Sequence, residues 1–112
     1  MHRFALMLCC VLPSCALPPQ GADFESDDPA ERVNAVALAA REGDRTKLRE
    51  LADELDSSDA GLRLLSSRAL IELNNGETFG YDDQAPPSKR REAMKRWQAW
   101  ADQQEQAARV AP

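Results

Sequence analysis

The same string of helix-start residues occurs twice in this chain, with a spacing of 31 residues. Asp28 is followed four residues later by Arg32, and Asp59 is followed in the same way by Arg63. A small residue and an apolar pair complete each string at corresponding positions, which are Ala35, Leu38 and Ala39, then Ser66, Ala69 and Leu70. A period of this length is typical of proteins built from stacked supersecondary units. The chain is therefore expected to form similar helices that pack side by side.

Capping residues and apolar spacing predict four helices. Asp28 precedes Pro29, which suits the first helical position, and Glu31 stands three residues after the cap. Gly43 and the later Asn74-Asn75-Gly76 supply residues that tolerate the left-handed conformation in which many helices end. The predicted helices cover residues 29–42, 45–55, 59–73 and 87–106.

The first predicted helix is apolar around much of its circumference. One face is formed by Val33, Val36, Ala37 and Ala40, and it is widened by Ala35, Leu38 and Ala39. The second predicted helix has a single apolar stripe, formed by Leu48, Leu51, Ala52 and Leu55. We therefore expect the first helix to contact neighbours on more than one side.

Residues 27–76 resemble the HEAT-repeat family of bacterial helical solenoids. The resemblance rests on DDPAERVNAVALAAREGD and LRELADELDSSDAGLRLLSSRALIELNNG, in which an acidic turn, an arginine, a small residue and an apolar pair recur. It implies an all-α fold, a short solenoid of four helices with a C-terminal capping helix. It also implies structural roles for the repeated residues, Asp28, Arg32, Asp59 and Arg63. The alternative is an unrelated small helical bundle.

The N-terminus has the layout of a secretory signal. Met1-His2-Arg3 is a short basic start, Phe4 to Leu12 is apolar, and Ser14 is the small residue before Cys15. The apolar run is too short for a membrane span, which needs roughly 20 residues. The order Leu-Pro-Ser-Cys resembles the lipobox of bacterial lipoproteins and implies removal of residues 1–14 and lipidation of Cys15. The alternative is an ordinary apolar N-terminus with an incidental cysteine.

Loss of that segment would remove most of the residues that commonly carry catalysis. His2, Cys9 and Cys10 lie within it, so only Cys15 would remain as a thiol and no histidine would remain. Neither a Ser-His-Asp nor a Cys-His arrangement could then form, and the common zinc ligands would be missing. We therefore expect no catalytic residue, no metal site and no cofactor, with a carboxylate-dependent hydrolase as a distant alternative. The net charge of −5 also disfavours a nucleic-acid partner.

The rest of the chain divides into a tether, a loop and a last helix. Residues 15–26 are rich in proline and acidic residues and are expected to form a flexible tether. Residues 77–87 are expected to form an aromatic loop, and residues 88–112 a C-terminal helix and tail. On that helix Ala93, Trp97, Trp100, Ala101 and Gln104 share one face.

The aromatic residues admit two interpretations. They either close the open end of a short helical stack, or they dock a partner through Tyr81, Arg90, Trp97 and Trp100, since Trp, Tyr and Arg are enriched in binding hot spots. Together these features indicate a lipid-anchored, non-catalytic module of the bacterial cell envelope that binds an unidentified envelope protein. The alternative is a structural protein that self-associates through its aromatic C-terminal helix, giving a homo-oligomer.

Overall fold

The structure is a computed structural model that describes residues 21–111. The described chain contains four α-helices and no strand, which confirms the all-α prediction. The helices are α1 (Pro29–Glu42), α2 (Leu48–Asp53), α3 (Ala60–Leu73) and α4 (Pro87–Val110). The predicted signal segment, residues 1–14, and the lipidation site Cys15 lie outside the described residues.

α1 is capped by Asp28 as predicted, and α3 begins at Ala60, one residue after the predicted start at Asp59, which is its cap. The Asp28 carboxylate accepts a hydrogen bond from Ala30 N, and the Asp59 carboxylate accepts from Gly61 N and Leu62 N. Both cap residues have nearly the same extended backbone, with φ −79° and ψ 115° at Asp28 and φ −84° and ψ 115° at Asp59. The two repeated strings therefore begin their helices with the same local geometry.

The helix ends follow the predicted stop residues, with one exception. α1 ends at Gly43, which adopts the left-handed conformation, and Asn75 and Gly76 have positive φ after α3. α4 continues to Val110, four residues beyond the predicted end at residue 106. The alanines after residue 106 are strong helix formers, and no glycine or proline interrupts them before the end of the helix.

The predicted second helix, residues 45–55, is not one continuous α-helix. It consists of a 3₁₀ turn (Arg45–Lys47), α2 and a second 3₁₀ turn (Glu54–Asp56). Asp44 explains the first turn, because its carboxylate accepts from Thr46 N and Thr46 Oγ1 while its carbonyl accepts from Lys47 N. That last bond joins residues three apart, which is the 3₁₀ pattern.

The core lies where the four helices meet. α1 packs against α3, and α2 packs against both α3 and α4. The fully buried large side chains come from all four helices and the second 3₁₀ turn, and they are Val36, Leu51, Leu55, Leu62, Leu70 and Trp97. At the surface, Arg49 of α2 pairs with Asp102 of α4 at 2.9 Å.

The end of the predicted tether is packed against α1. Asp23 N donates to Glu31 O at 3.2 Å, and Phe24 is partly buried against the core. The described end of that segment, residues 21–26, therefore contacts the domain, and residues 15–20 lie outside the described residues. Phe24 is the single large apolar residue among residues 21–26, and its partial burial against the core accounts for this contact.

Candidate functional site

Two of the four predicted partner-contact residues are core residues. Trp97 is 0% exposed, and its indole Nε1 donates to Thr78 O at 3.0 Å. Its ring meets the Phe79 ring edge to face, with centroids 4.7 Å apart. The hydroxyl of Tyr81, which is also buried, donates to Leu55 O. Both side chains fasten the loop before α4 to the body of the protein, so neither presents a surface to a partner in this structure.

Arg90 is also engaged inside the molecule. Its side chain is only 13% exposed, its Nη1 donates to Ala85 O at 2.7 Å, and its Nη2 lies 3.9 Å from Asp56 Oδ1. Its Nε is buried without a hydrogen-bond partner. The guanidinium thus joins the start of α4 to the loop before it and to the second 3₁₀ turn.

Trp100 is the one predicted contact residue of the aromatic set that is only partly buried. Its ring lies 5.3 Å from that of Trp97 and 6.4 Å from that of Phe79, measured between centroids. The Arg45 guanidinium lies 5.8 Å from its centroid, within the range of a cation–π contact. Arg45 in turn donates to Leu73 O and to Gln104 Oε1. The aromatic cluster therefore joins three parts of the fold, which favours the closing role over the docking role.

The repeat-signature residues form the same small network twice. Arg32 Nη1 donates to Ser26 O at 2.6 Å, and Arg63 Nη1 donates to Ser57 O at 2.8 Å. In both copies the serine Oγ accepts from the backbone N–H of the aspartate two residues later, at 3.1 Å. The repeated string identified from the sequence did not include the two serines, although they stand at the same spacing of 31 residues as the rest of the string.

The two arginines then diverge in their outer contacts. Arg32 Nε lies 3.9 Å from Glu54 Oε1, whereas Arg63 Nε donates to Asp83 O at 3.3 Å. Burial raises the pKa of Glu54, and the positive charge of Arg32 opposes that increase. Each arginine therefore fixes the backbone before its own helix and also holds a different neighbouring segment.

A groove lies on α1 beside the 22–25 segment, the first 3₁₀ turn and the start of α2. Its apolar lining residues are Ala35, Leu38 and Ala39 of α1, together with Ala22 and Phe24. The groove has a volume of about 280 Å³. Leu38 is 41% exposed, although it stands in the middle of a helix whose other apolar residues are mostly covered. The wide apolar surface predicted for the first helix is thus present, but its second side is bordered only by the 22–25 segment and by residues of the 44–50 segment.

Charged groups surround this groove almost entirely with one sign. Lys47 is the single cation among its lining residues, and five carboxylates accompany it, which are Asp23, Glu25, Glu42, Asp44 and Glu50. The Asp44 carboxylate is held by the hydroxyl and backbone N–H of Thr46, and these hydrogen bonds lower its pKa. The groove therefore combines an apolar floor with an anionic border, a surface that can bind an apolar side chain flanked by cations.

Within residues 21–111, no three His, Cys, Asp or Glu side chains are grouped so that they could hold a metal ion. The same part of the chain contains no helix long and apolar enough to cross a membrane. Comparisons of the chain with protein-family models, with curated proteins and with solved structures found no match. The candidate site is therefore defined by its own geometry.

Proposed function

We propose that this chain is a non-catalytic protein–protein interaction module of the bacterial cell envelope, tethered to a membrane by a lipid on Cys15. In this proposal the helical domain is a short solenoid of the HEAT type. The observation that carries the proposal is the duplicated network of Ser26, Asp28 and Arg32 with Ser57, Asp59 and Arg63, in which each arginine donates to the serine carbonyl. Solenoid repeats present extended surfaces to their partners, and each repeat contacts its neighbours.

The packing of the helices supports the solenoid proposal. If α1 and α2 are one repeat and α3 and α4 the next, then the first helices of the two repeats contact each other, and so do the second helices. α4 would then serve as the closing element, with Trp97 fully buried against the rest of the core. This arrangement leaves the outer face of α1 as the uncovered end of the stack.

The membrane tether is proposed from the N-terminal sequence. Bacterial lipoproteins carry more than one acyl chain, and two chains give the durable attachment that one chain does not. Replacement of Cys15 by serine should move the protein from the membrane fraction to the soluble fraction of bacterial cells. Cys10→Ser is the matched control and should leave the protein in the membrane fraction. If Cys15→Ser leaves the fractionation unchanged, the lipid anchor is refuted.

The interaction role is tested by recovery of a partner. We expect the full chain, used as bait in a membrane extract after cross-linking, to recover a reproducible envelope protein. Trp97→Ala, which should unfold the domain, is the control and should recover none. If the wild-type bait repeatedly recovers nothing above that control, the proposed function fails.

Self-association is the second candidate function, and one observation favours it. The last turns of α4 carry an exposed apolar residue, Val110, which is 77% exposed, and Trp100 is only partly covered. A second copy could cover these residues and extend the helical stack. Measurement of the protein mass as a function of concentration separates this candidate from the first.

A further inference from the structure

The groove on α1 has the chemistry of a recognition site for a helix. Leu38 offers 41% of its surface to solvent, between Ala35 and Ala39 on the same helix. A volume of about 280 Å³ lies just below the roughly 300–1,000 Å³ of small-molecule pockets, so the groove suits one or two side chains better than an entire ligand. Short apolar grooves of this kind accept the anchor side chains of amphipathic helices.

The border of the groove determines which helices it would accept. Five carboxylates and one ammonium leave an excess of negative charge around the apolar floor. An acidic segment would be repelled by these carboxylates, and a neutral apolar segment would gain no electrostatic attraction from them. A segment that carries lysine or arginine beside its apolar anchors would be attracted, and complementary charge of this kind also accelerates association.

We infer that this groove binds a basic amphipathic helical segment of a different protein in the envelope. The inference rests on the proposed function, and it names the surface and the chemistry of the partner. A second copy of this chain fits less well, although α4 has an exposed basic stretch at Lys89, Arg91 and Lys95. Among the described residues, the exposed large apolar side chains are Leu38, Leu65 and Val110, and none of them belongs to that basic stretch. The chain's own basic surface thus lacks the apolar anchor that the groove requires.

A pair of short peptides can probe the groove directly. The first has two leucines four residues apart among lysines and alanines, and its twin has glutamate in place of every lysine. The full chain is held in nanodiscs of neutral phosphatidylcholine, and the signal from empty discs is subtracted. We expect the lysine peptide to bind with an affinity that falls as salt is added, and we expect the glutamate peptide not to bind.

Two matched pairs of variants locate the binding. Leu38→Gln should weaken binding of the lysine peptide about tenfold, because the peptide's leucine would no longer be buried against an apolar side chain. Leu65→Gln is the control, since Leu65 of α3 has a similar exposure, 37%, and does not line the groove. Glu42→Lys should weaken binding about fivefold. Its control is Glu72→Lys, since Glu72 is also exposed in the last turn of its helix but lies outside the groove.

Several outcomes would overturn the inference. One is equal weakening by a groove variant and its control, and another is equal binding of the two peptides. A third is a mass that rises with concentration and falls in Leu38→Gln, which would assign the groove to a second copy. A partner that is recovered from the envelope equally well by wild type and Leu38→Gln would overturn the groove assignment but leave the proposed function standing.

Discussion

Tyr81 shows how a single side chain can join a loop to the core. It is the only tyrosine of the chain, it is buried, and its hydroxyl donates to the carbonyl of Leu55 at the second 3₁₀ turn. Burial raises the pKa of Tyr81 from 10.0 to about 12, because the phenolate would lose its hydration in the core. The nearby positive charges of Arg63 and Arg90 oppose this increase.

The tyrosine should make the fold sensitive to alkali. A folded-state pKa above the unfolded value means that the stability contributed by the neutral phenol is complete below pH 10 and is lost as pH rises toward about 12. We expect the melting temperature of wild type to fall more steeply over this interval than that of Tyr81→Phe. Phenolate absorbance, which here reports one residue, should appear only as the protein unfolds. Parallel melting curves for the two proteins would contradict the assignment.

Ser66 is a buried polar residue whose hydroxyl has no hydrogen-bond partner. It stands where the first repeat has Ala35, which is also buried. An unpaired buried polar group costs about 1–3 kcal/mol, and alanine is also the better helix former. Ser66→Ala should therefore increase the free energy of unfolding by about 1 kcal/mol in chemical denaturation.

The adjacent serine supplies the control for that experiment. Ser67 is buried as well, but its Oγ donates to Leu64 O at 2.9 Å. Ser67→Ala removes a hydrogen bond and should give a smaller gain than Ser66→Ala, or a loss. Destabilisation by Ser66→Ala would show that its hydroxyl has a partner, such as a bound water.

At the scale of the helices, the two aspartate caps decide where α1 and α3 begin. Each cap satisfies backbone N–H groups that have no partner inside the helix, and alanine at such a position typically costs about 0.5–2 kcal/mol. Asp59→Ala should cost at least as much as Asp28→Ala, because Asp59 accepts two backbone hydrogen bonds and Asp28 accepts one. Urea unfolding measures the loss of stability in both alanine variants.

Conservative variants make the capping prediction specific. Asparagine keeps the accepting oxygen, so Asp28→Asn and Asp59→Asn should recover most of the lost stability. Asp27→Ala changes an exposed acid next to the first cap and should shift stability by no more than about 0.5 kcal/mol. A loss at Asp27 as large as that at Asp28 would show that charge, and not capping, is responsible.

The attachment of α4 depends mainly on one of its two tryptophans. Trp97 is fully buried, whereas Trp100 lies at the edge of the core beside Arg45. Trp97→Ala should cost roughly 3–5 kcal/mol, enough to unfold a domain of this size under mild conditions. Trp100→Ala should cost clearly less and leave a cooperative thermal transition. If Trp97→Ala and Trp100→Ala lose the same stability, Trp100 is covered in solution, which is what self-association predicts.

At the scale of the whole molecule, the proposed solenoid has only two repeats, α1 with α2 and α3 with α4, and α4 also serves as the closing helix. Repeat proteins usually need at least three units for stability, and a terminal unit of different sequence covers the end of the core. In the proposed stack, the aromatic cluster of Phe79, Trp97 and Trp100 covers one end, and the outer face of α1, which carries Leu38, stays partly exposed. The proposed partner would cover that face, and this would stabilise the domain through binding.

We expect the full chain alone to remain monomeric. Sedimentation equilibrium in a density-matched detergent should give the same protein mass across a hundredfold range of concentration. A mass that rises with concentration and returns to that of one chain in Trp100→Ala would instead favour self-association through the aromatic helix. Val110→Asp is a useful companion, because it tests the exposed end of α4 without altering the aromatic cluster.

The sequence by itself determined the local features of this protein. The caps at Asp28 and Asp59, the stop at Gly43 and the all-α class follow from backbone groups and side chains a few residues apart. Such interactions do not depend on the rest of the fold, so a capping residue and a helical period are sufficient to predict them. The repeated string could also be recognised from the sequence, because each copy is a short local pattern.

Only the tertiary structure decided which apolar side chains are covered. Trp97 and Leu38 are both apolar residues within helices, yet one is fully buried and the other forms the floor of an open groove. Periodicity shows that a helix has an apolar face, but it does not show which neighbour covers that face. Burial depends on contacts between residues far apart in the chain, and for this reason the sequence alone did not show that Tyr81 and Trp97 are core residues or that Leu38 is exposed.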